Sequence, residues 1–212
     1  MRILVYGDSN SWGYLDDGLE QRFADRWPVV MAREAEGLGA VLIEECLSGR
    51  TTNLRDPEMG DHVDGAAPLM AILRSHTPLD LVLIMLGTND LKAQFDRSAD
   101  DIVAGLAGLS DGVSASELWD GPVGARLGFI APPALGPRAD DPAWEWADEW
   151  RGGRAKSLAL TAKVEALCRA RGHLFFDGNK GAVSSDRDPI HWDEETHVRM
   201  GSAVAAWLAK VL

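Results

Sequence analysis

The chain has 212 residues, 46% of them hydrophobic, and a formal net charge of -12. That length suits one α/β domain able to bury a full core, so a single domain over 1–212 is expected. The acidic balance argues against nucleic acid and anionic membrane surfaces, which such a chain repels, and leaves neutral or cationic small molecules as ligands.

Five short apolar runs recur along the chain, at 3–6, 41–46, 81–86, 127–131 and 174–176, with helical or loop material between them. Such alternation predicts a parallel sheet covered by helices on both faces, a three-layer α/β/α sandwich. The first run stops at Gly7-Asp8-Ser9-Asn10, which puts Ser9 at a strand's carboxyl end, the edge where open α/β sheets bind ligands. Trp27-Pro28 opens a predicted helix that Gly37 and Gly39 terminate, and Pro68 begins a shorter one toward Arg74. Ile102, Val103, Leu106 and Leu109 recur at helical spacing, as do Leu158, Thr161, Val164, Leu167 and Cys168, with Gly172 as a C-terminal stop. A last helix is predicted over 194–212.

The stretch 132–153 is the least regular, with Pro132-Pro133 and Pro137 followed by Trp144, Trp146 and Trp150 among acidic residues. If helical, it places Trp146 and Trp150 on one stripe, as i, i+4 neighbours. The indoles then serve either as packing for a lid, on the domain or on another subunit, or as a stacking surface for a sugar or aryl group.

Only Cys46 and Cys168 are present, without CxxC spacing, so neither a disulfide framework nor a zinc site is expected. With the first strand starting almost at Met1 there is no signal-peptide pattern, and a cytoplasmic location is expected. No apolar stretch approaches the roughly 20 residues that span a bilayer. His191, Asp193 and His197 lack the i, i+4 histidine spacing of HExxH, so no metal is expected, and no glycine-rich phosphate loop points to a nucleotide. His62, His76 and His173 have no partners placed by sequence.

Four separated segments carry chemistry. The loops after the first three strands hold Gly7-Asp8-Ser9-Asn10, Leu47-Ser48-Gly49-Arg50-Thr51-Thr52-Asn53 and Leu86-Gly87-Thr88-Asn89-Asp90. In a parallel sheet they emerge at one edge. Near the end, Asp188-Pro189-Ile190-His191 supplies a carboxylate and an imidazole, the two parts that turn a serine into a nucleophile. Taken alone, a serine in such a turn reads first as a helix cap, and the alternative for Asn89 is an Asx turn closing its loop.

Together, Gly7-Asp8-Ser9, Gly49, Gly87-Thr88-Asn89-Asp90 and Asp188-x-x-His191 resemble the four blocks of the SGNH hydrolases, also called GDSL-type esterases and lipases. The second and third segments resemble the bacterial arylesterase and acyltransferase branch, and the likeness runs from the first strand to the last helix. It implies a flavodoxin-like sheet order, 2-1-3-4-5, and a serine esterase acting without cofactor. In that reading Ser9 is the nucleophile, His191 the base and Asp188 its orienting carboxylate. The backbone N–H groups of Ser9 and Gly49 and the Asn89 amide form the oxyanion hole. Substrates are small-molecule esters with short, acetyl-type acyl groups, including aryl esters, with acyl transfer to alcohols as a further outcome; the alternative is a deacetylase of acetylated sugars. Relatives in this branch form oligomers, which implies a homo-oligomer. Asn10 stands where the signature often has Leu, which bears on pocket polarity. Trp12 and Tyr14 resemble pocket aromatics of the branch and are otherwise core; Trp192 either walls the site or packs beneath the last helix. Asp8 and Asp90 are expected to fix the backbone of the loops.

Overall fold

The computed structural model describes every residue except 16–20, 116–125 and 186. Five parallel strands, β1 (Arg2–Gly7), β4 (Val41–Cys46), β5 (Leu81–Met85), β6 (Arg126–Ala131) and β7 (Leu174–Asp177), form one sheet in the order β4-β1-β5-β6-β7. Counted along the chain, that is the 2-1-3-4-5 order of a flavodoxin-like sheet. A small antiparallel pair, β2 (Tyr14–Leu15) and β3 (Gln21–Arg22), stands apart from it.

Both faces of the sheet are apolar because successive side chains point to opposite sides. Leu4 and Tyr6 of β1 and Val82 and Ile84 of β5 face one buried cluster, with side chains of α3 (Ala66–His76), α4 (Ala99–Ala115) and α5 (Gly153–Arg171). Ile3, Val5, Leu81, Leu83 and Met85 face the other, which α2 (Trp27–Glu34) and α6 (Glu194–Val211) cover with Trp27, Met31, Met200, Val204 and Leu208. The near-continuous hydrophobic reading of the strands follows from this double burial. Gly201 lets α2 and α6 meet closely: a Cβ there would lie 2.5 Å from Val30 Cβ and 2.8 Å from the Trp27 carbonyl.

A third apolar cluster caps the carboxyl edge of the sheet, where Leu91, Ile102, Leu135, Trp144, Trp150, Leu160 and Ile190 pack together. The stretch 141–152 that contributes the indoles is a chain of turns, not a helix, so the stripe that a helix would have given Trp146 and Trp150 is not formed. Trp144 and Trp150 are buried, while Trp146 is 54% exposed. No helix among the described residues is long and apolar enough to cross a membrane.

Candidate active site

Ser9 opens α1 (Ser9–Trp12), a single turn that starts as β1 ends. Asp8 caps this turn by accepting from the Asn10 N–H at 3.0 Å, and Gly13 closes it in the left-handed conformation, φ 87°. As the first helical residue, Ser9 has an N–H with no acceptor inside the turn. Asp8 is fully buried, and burial pushes its carboxyl up to about 6 against the opposing pull of the Asn10 N–H and His191.

The imidazole arrives from a loop that braces itself. Asp188 Oδ1 accepts the N–H groups of Ile190 (2.8 Å) and His191 (3.0 Å), while Oδ2 accepts from His191 Nδ1 at 2.8 Å. Burial by itself would raise this carboxyl; the hydrogen bond and charge of His191 and the two N–H donors outweigh it and hold it near about 2. A carboxylate only accepts, so Nδ1 carries the proton and Nε2 is left as acceptor. Ser9 Oγ lies 3.1 Å from Nε2, in position to donate to it. Residues 182 positions apart thus form one relay able to draw a proton from a hydroxyl.

Beside the relay stand the two loops expected to supply donors. Gly49 adopts φ 80°, and a Cβ there would fall 2.3 Å from Met59 Cε, so both backbone shape and space favour glycine. Asn89 Nδ2 donates to the Arg50 carbonyl at 3.0 Å and has a second hydrogen to offer. Arg50 ties the strand ends together: its guanidinium lies 4.1 Å from the Tyr6 ring centroid and donates to the carbonyls of Gly7 (3.2 Å) and Glu45. Asp90 holds the second and third loops in register, accepting from Thr52 N (2.9 Å), Thr52 Oγ1 (2.5 Å) and Arg97 Nη1 (2.7 Å). Both residues act on backbone position, as Asp90 was expected to.

Ser9, Gly49, Asn89, Asp188 and His191 all open into one cavity of about 380 Å³. Tyr14 lines it, with its ring centroid 4.5 Å from that of His191. The other three residues read as pocket walls are not part of that lining. Asn10 is 3% exposed and donates from Nδ2 to the Ile190 carbonyl at 3.0 Å, so it braces the histidine loop. Trp12 turns to Arg22, whose guanidinium lies 5.1 Å from its ring. Trp192 is buried in the core under α6, 5.3 Å from the His197 ring. The remaining wall includes Met59, Lys92, Trp144, Glu149 and Trp150, with Trp146 at the cavity as well. Of these, sequence reasoning had marked only the tryptophans. Met59, Lys92 and Glu149 are placed by tertiary packing, and the only sequence signal for Lys92 is its position three residues after Asn89.

Residues 5–200 match the model of the GDSL-like lipase/acylhydrolase family. The chain belongs to that family. No curated protein matches it. Among solved structures, this GDSL-family hydrolase resembles the aryl esterase of M. smegmatis, 37% identical with a TM-score of 0.88, over 100% of this chain and 99% of that one. A carbohydrate acetylesterase from Sinorhizobium meliloti is similar at 34% identity and TM-score 0.88, again over 100% and 99% of the two chains. A putative arylesterase from Agrobacterium tumefaciens is 34% identical, with TM-score 0.85 and the same coverage. The GDSL-family hydrolase described here is a carboxylic ester hydrolase with the SGNH fold.

Proposed function

We propose that this hydrolase cleaves short-chain, acetyl-type esters, aryl esters among them, through an acyl-Ser9 intermediate. The observation that carries the reading is the unbroken relay from Asp188 through His191 to Ser9, 2.8 and 3.1 Å long, opening into a cavity. His191 Nε2 takes the hydroxyl proton as Ser9 Oγ bonds to the ester carbon. It returns that proton to the leaving alkoxide as the carbon–oxygen bond breaks, and water then repeats the cycle to release the acid. Asp188 holds the ring and balances the imidazolium. The N–H groups of Ser9 and Gly49 and the Asn89 amide stabilise the oxyanion.

Small acyl groups follow from the size of the cavity, about 380 Å³, near the lower end of the ~300–1,000 Å³ typical of small-molecule sites. Its aromatic walls also favour transfer of the acyl group to an alcohol in place of water, since they limit water at the acyl-enzyme. One observation favours a second reading, deacetylation of acetylated sugars: the exposed indole of Trp146 lies at the cavity beside Glu145, an apolar face next to a hydroxyl acceptor. The net charge of -12 fits a neutral substrate and no nucleic-acid or membrane partner. Unpaired Cys46 and Cys168 suit the reducing cytoplasm, and self-association rests on the likeness to an oligomer-forming branch.

Turnover of p-nitrophenyl acetate, p-nitrophenyl octanoate and acetylated xylose tests the reading. It predicts fast cleavage of the acetyl aryl ester and little of the octanoate. Trp146→Ala slows the sugar acetate alone if the second reading holds. Octanoate cleaved as fast as acetate would sink the short-chain assignment.

A further inference from the structure

Lys92 is 7% exposed, and the proposed chemistry gives it no task. Its ammonium lies 2.8 Å from Glu149 Oε1, 3.5 Å from Asp56 Oδ2 and 6.0 Å from the centroid of the Trp150 ring. These partners lie on two sides of the cavity, Asp56 behind the Met59 loop and Glu149 and Trp150 together on the other. Asp56 is itself buried and organises the loop that carries Met59: its Oδ1 accepts from Glu58 N at 2.9 Å and Met59 N at 3.3 Å, and its carbonyl accepts from Gly60 N at 2.7 Å. Burial would raise the Asp56 carboxyl, but those N–H donors and Lys92 bring it below its ordinary value. Met59 rests on Gly49, its Cε 2.3 Å from where a glycine Cβ would stand. On the opposite side, Glu149 and Trp150 belong to the turn-rich segment, whose Glu149 carbonyl also accepts from Ala93 N at 2.7 Å. The Lys92 N–H itself closes the turn that presents Asn89, donating to the Asn89 carbonyl at 3.3 Å.

We propose that Lys92 is a specificity-determining positioning residue: by bridging Asp56 and Glu149 it clamps the Met59 loop and the Trp150 segment at a fixed separation and so sets the size of ester the cavity accepts. The proposal rests on Ser9 being the nucleophile of this cavity. Neither wall belongs to the sheet, and each is a loop whose path depends on side-chain contacts. A buried cation shared between two carboxylates is a rigid link because parting Lys92 from Asp56 strands both charges away from water, while Glu149 ties the same ammonium to the other wall. A lysine reaches both as a point charge. Removing the charge frees both loops while Ser9, His191 and Asp188 keep their own hydrogen bonds.

The test measures kcat and KM separately for p-nitrophenyl acetate, butyrate and hexanoate with wild type, Lys92→Met, Lys92→Arg and Glu149→Gln. Glu149→Gln loosens only the tryptophan side and leaves the more deeply buried Asp56 paired, so it reports even if Lys92→Met fails to fold. The hexanoate-to-acetate ratio of kcat/KM should rise about tenfold in Lys92→Met and roughly threefold in Glu149→Gln, chiefly through KM, while Lys92→Arg stays within about twofold of wild type. Equal loss on all three esters, or an unchanged ratio in a folded Lys92→Met or in Glu149→Gln, would reduce the cluster to a stabilising ion pair and overturn the proposal. Titration of each protein with an organophosphonate keeps the two questions apart. Ser9 labelled in every variant with an unchanged ratio defeats the clamp alone, whereas an unlabelled wild-type Ser9 defeats the nucleophile on which the clamp depends.

Discussion

The Ser9 hydroxyl depends on partners at the other end of the chain, and each of those partners is held by something else. Asn10 fixes the Ile190 carbonyl, Asp188 fixes two backbone N–H groups as well as the ring, and Arg50 sits between the β1 end and the Asn89 amide. Because the relay acts as a unit, Ser9→Ala and His191→Ala should each lower kcat by roughly 10⁴-fold or more. Thermal unfolding should move little in Ser9→Ala, whose hydroxyl bonds only His191, and fall more in His191→Ala, which also gives up the Asp188 bond and the Tyr14 ring contact. Ester hydrolysis retained at the wild-type rate by Ser9→Ala contradicts the assignment. On the proposed oxyanion hole, Asn89→Ala removes one donor and should cost on the order of 10²–10³ in kcat with KM nearly constant. An effect on KM alone would make Asn89 a ground-state binding group. At this scale the sequence was legible where a residue's chemistry is distinctive. Ser9, Asp188 and His191 were singled out because Gly-Asp-Ser and Asp-x-x-His occur with two further blocks in the family's order, and the fold brings the three side chains into hydrogen-bond reach. Asn10 and Trp12 were set in the pocket, and Trp192 was left between wall and core, because neighbourhood in sequence does not tell which way a side chain points: one turn of α1 sends Asn10 to the histidine loop and leaves Trp12 with Arg22.

Among elements, the strands were the most legible because burial on both faces leaves uninterrupted apolar runs, and their order followed from the family likeness. The helices were anticipated to within a few residues at most ends, their Pro starts and Gly stops being local signals; α4 runs on to Ala115, beyond the expected apolar stretch. The pair β2 and β3 was missed, since strands of two residues carry no periodicity. A helix would have put Trp146 and Trp150 on one stripe, but the segment folds as turns that bury Trp144 and Trp150 against Leu135, Leu160 and Ile190. Tertiary burial decided there, not local pattern. Helix α6 follows directly on the histidine loop, and its contact with α2 passes through Gly201. Gly201→Ala pushes a methyl group against Val30 and the Trp27 backbone, so urea unfolding should show a loss of about 2 kcal/mol. An unchanged midpoint would show that the two helices separate freely.

Across the whole molecule, two buried groups make stability respond to pH in opposite directions. His197 is fully buried between Phe23 and Trp192, and burial lowers it from 6.5 to about 4. Between those values the unfolded chain binds the extra proton, so stability present above pH 6.5 is lost as pH falls toward 4, by at most about 3 kcal/mol. Asp8 has the reverse sign: raised by burial from 3.8 to about 6, its folded form binds the extra proton in between, so its contribution is full below 3.8 and lost as pH rises through 6. The two offset each other between about pH 4 and 6. His197→Leu should therefore gain on wild type as urea unfolding is moved from pH 7 to pH 4.5, and Asp8→Asn should lose. Variants whose stability runs parallel to wild type over that range contradict the picture. Asp188, held near about 2, adds stability above its unfolded value that disappears only as pH falls from about 4 to 2.

An acyl group on Ser9 is the most direct consequence of the proposed chemistry. Rapid acid quenching of the protein during turnover of p-nitrophenyl acetate, followed by peptide mass spectrometry, should find one acetyl group on Ser9 in wild type and none in His191→Ala. Steady ester turnover with Ser9 unmodified, or acetyl carried by another residue, would contradict it.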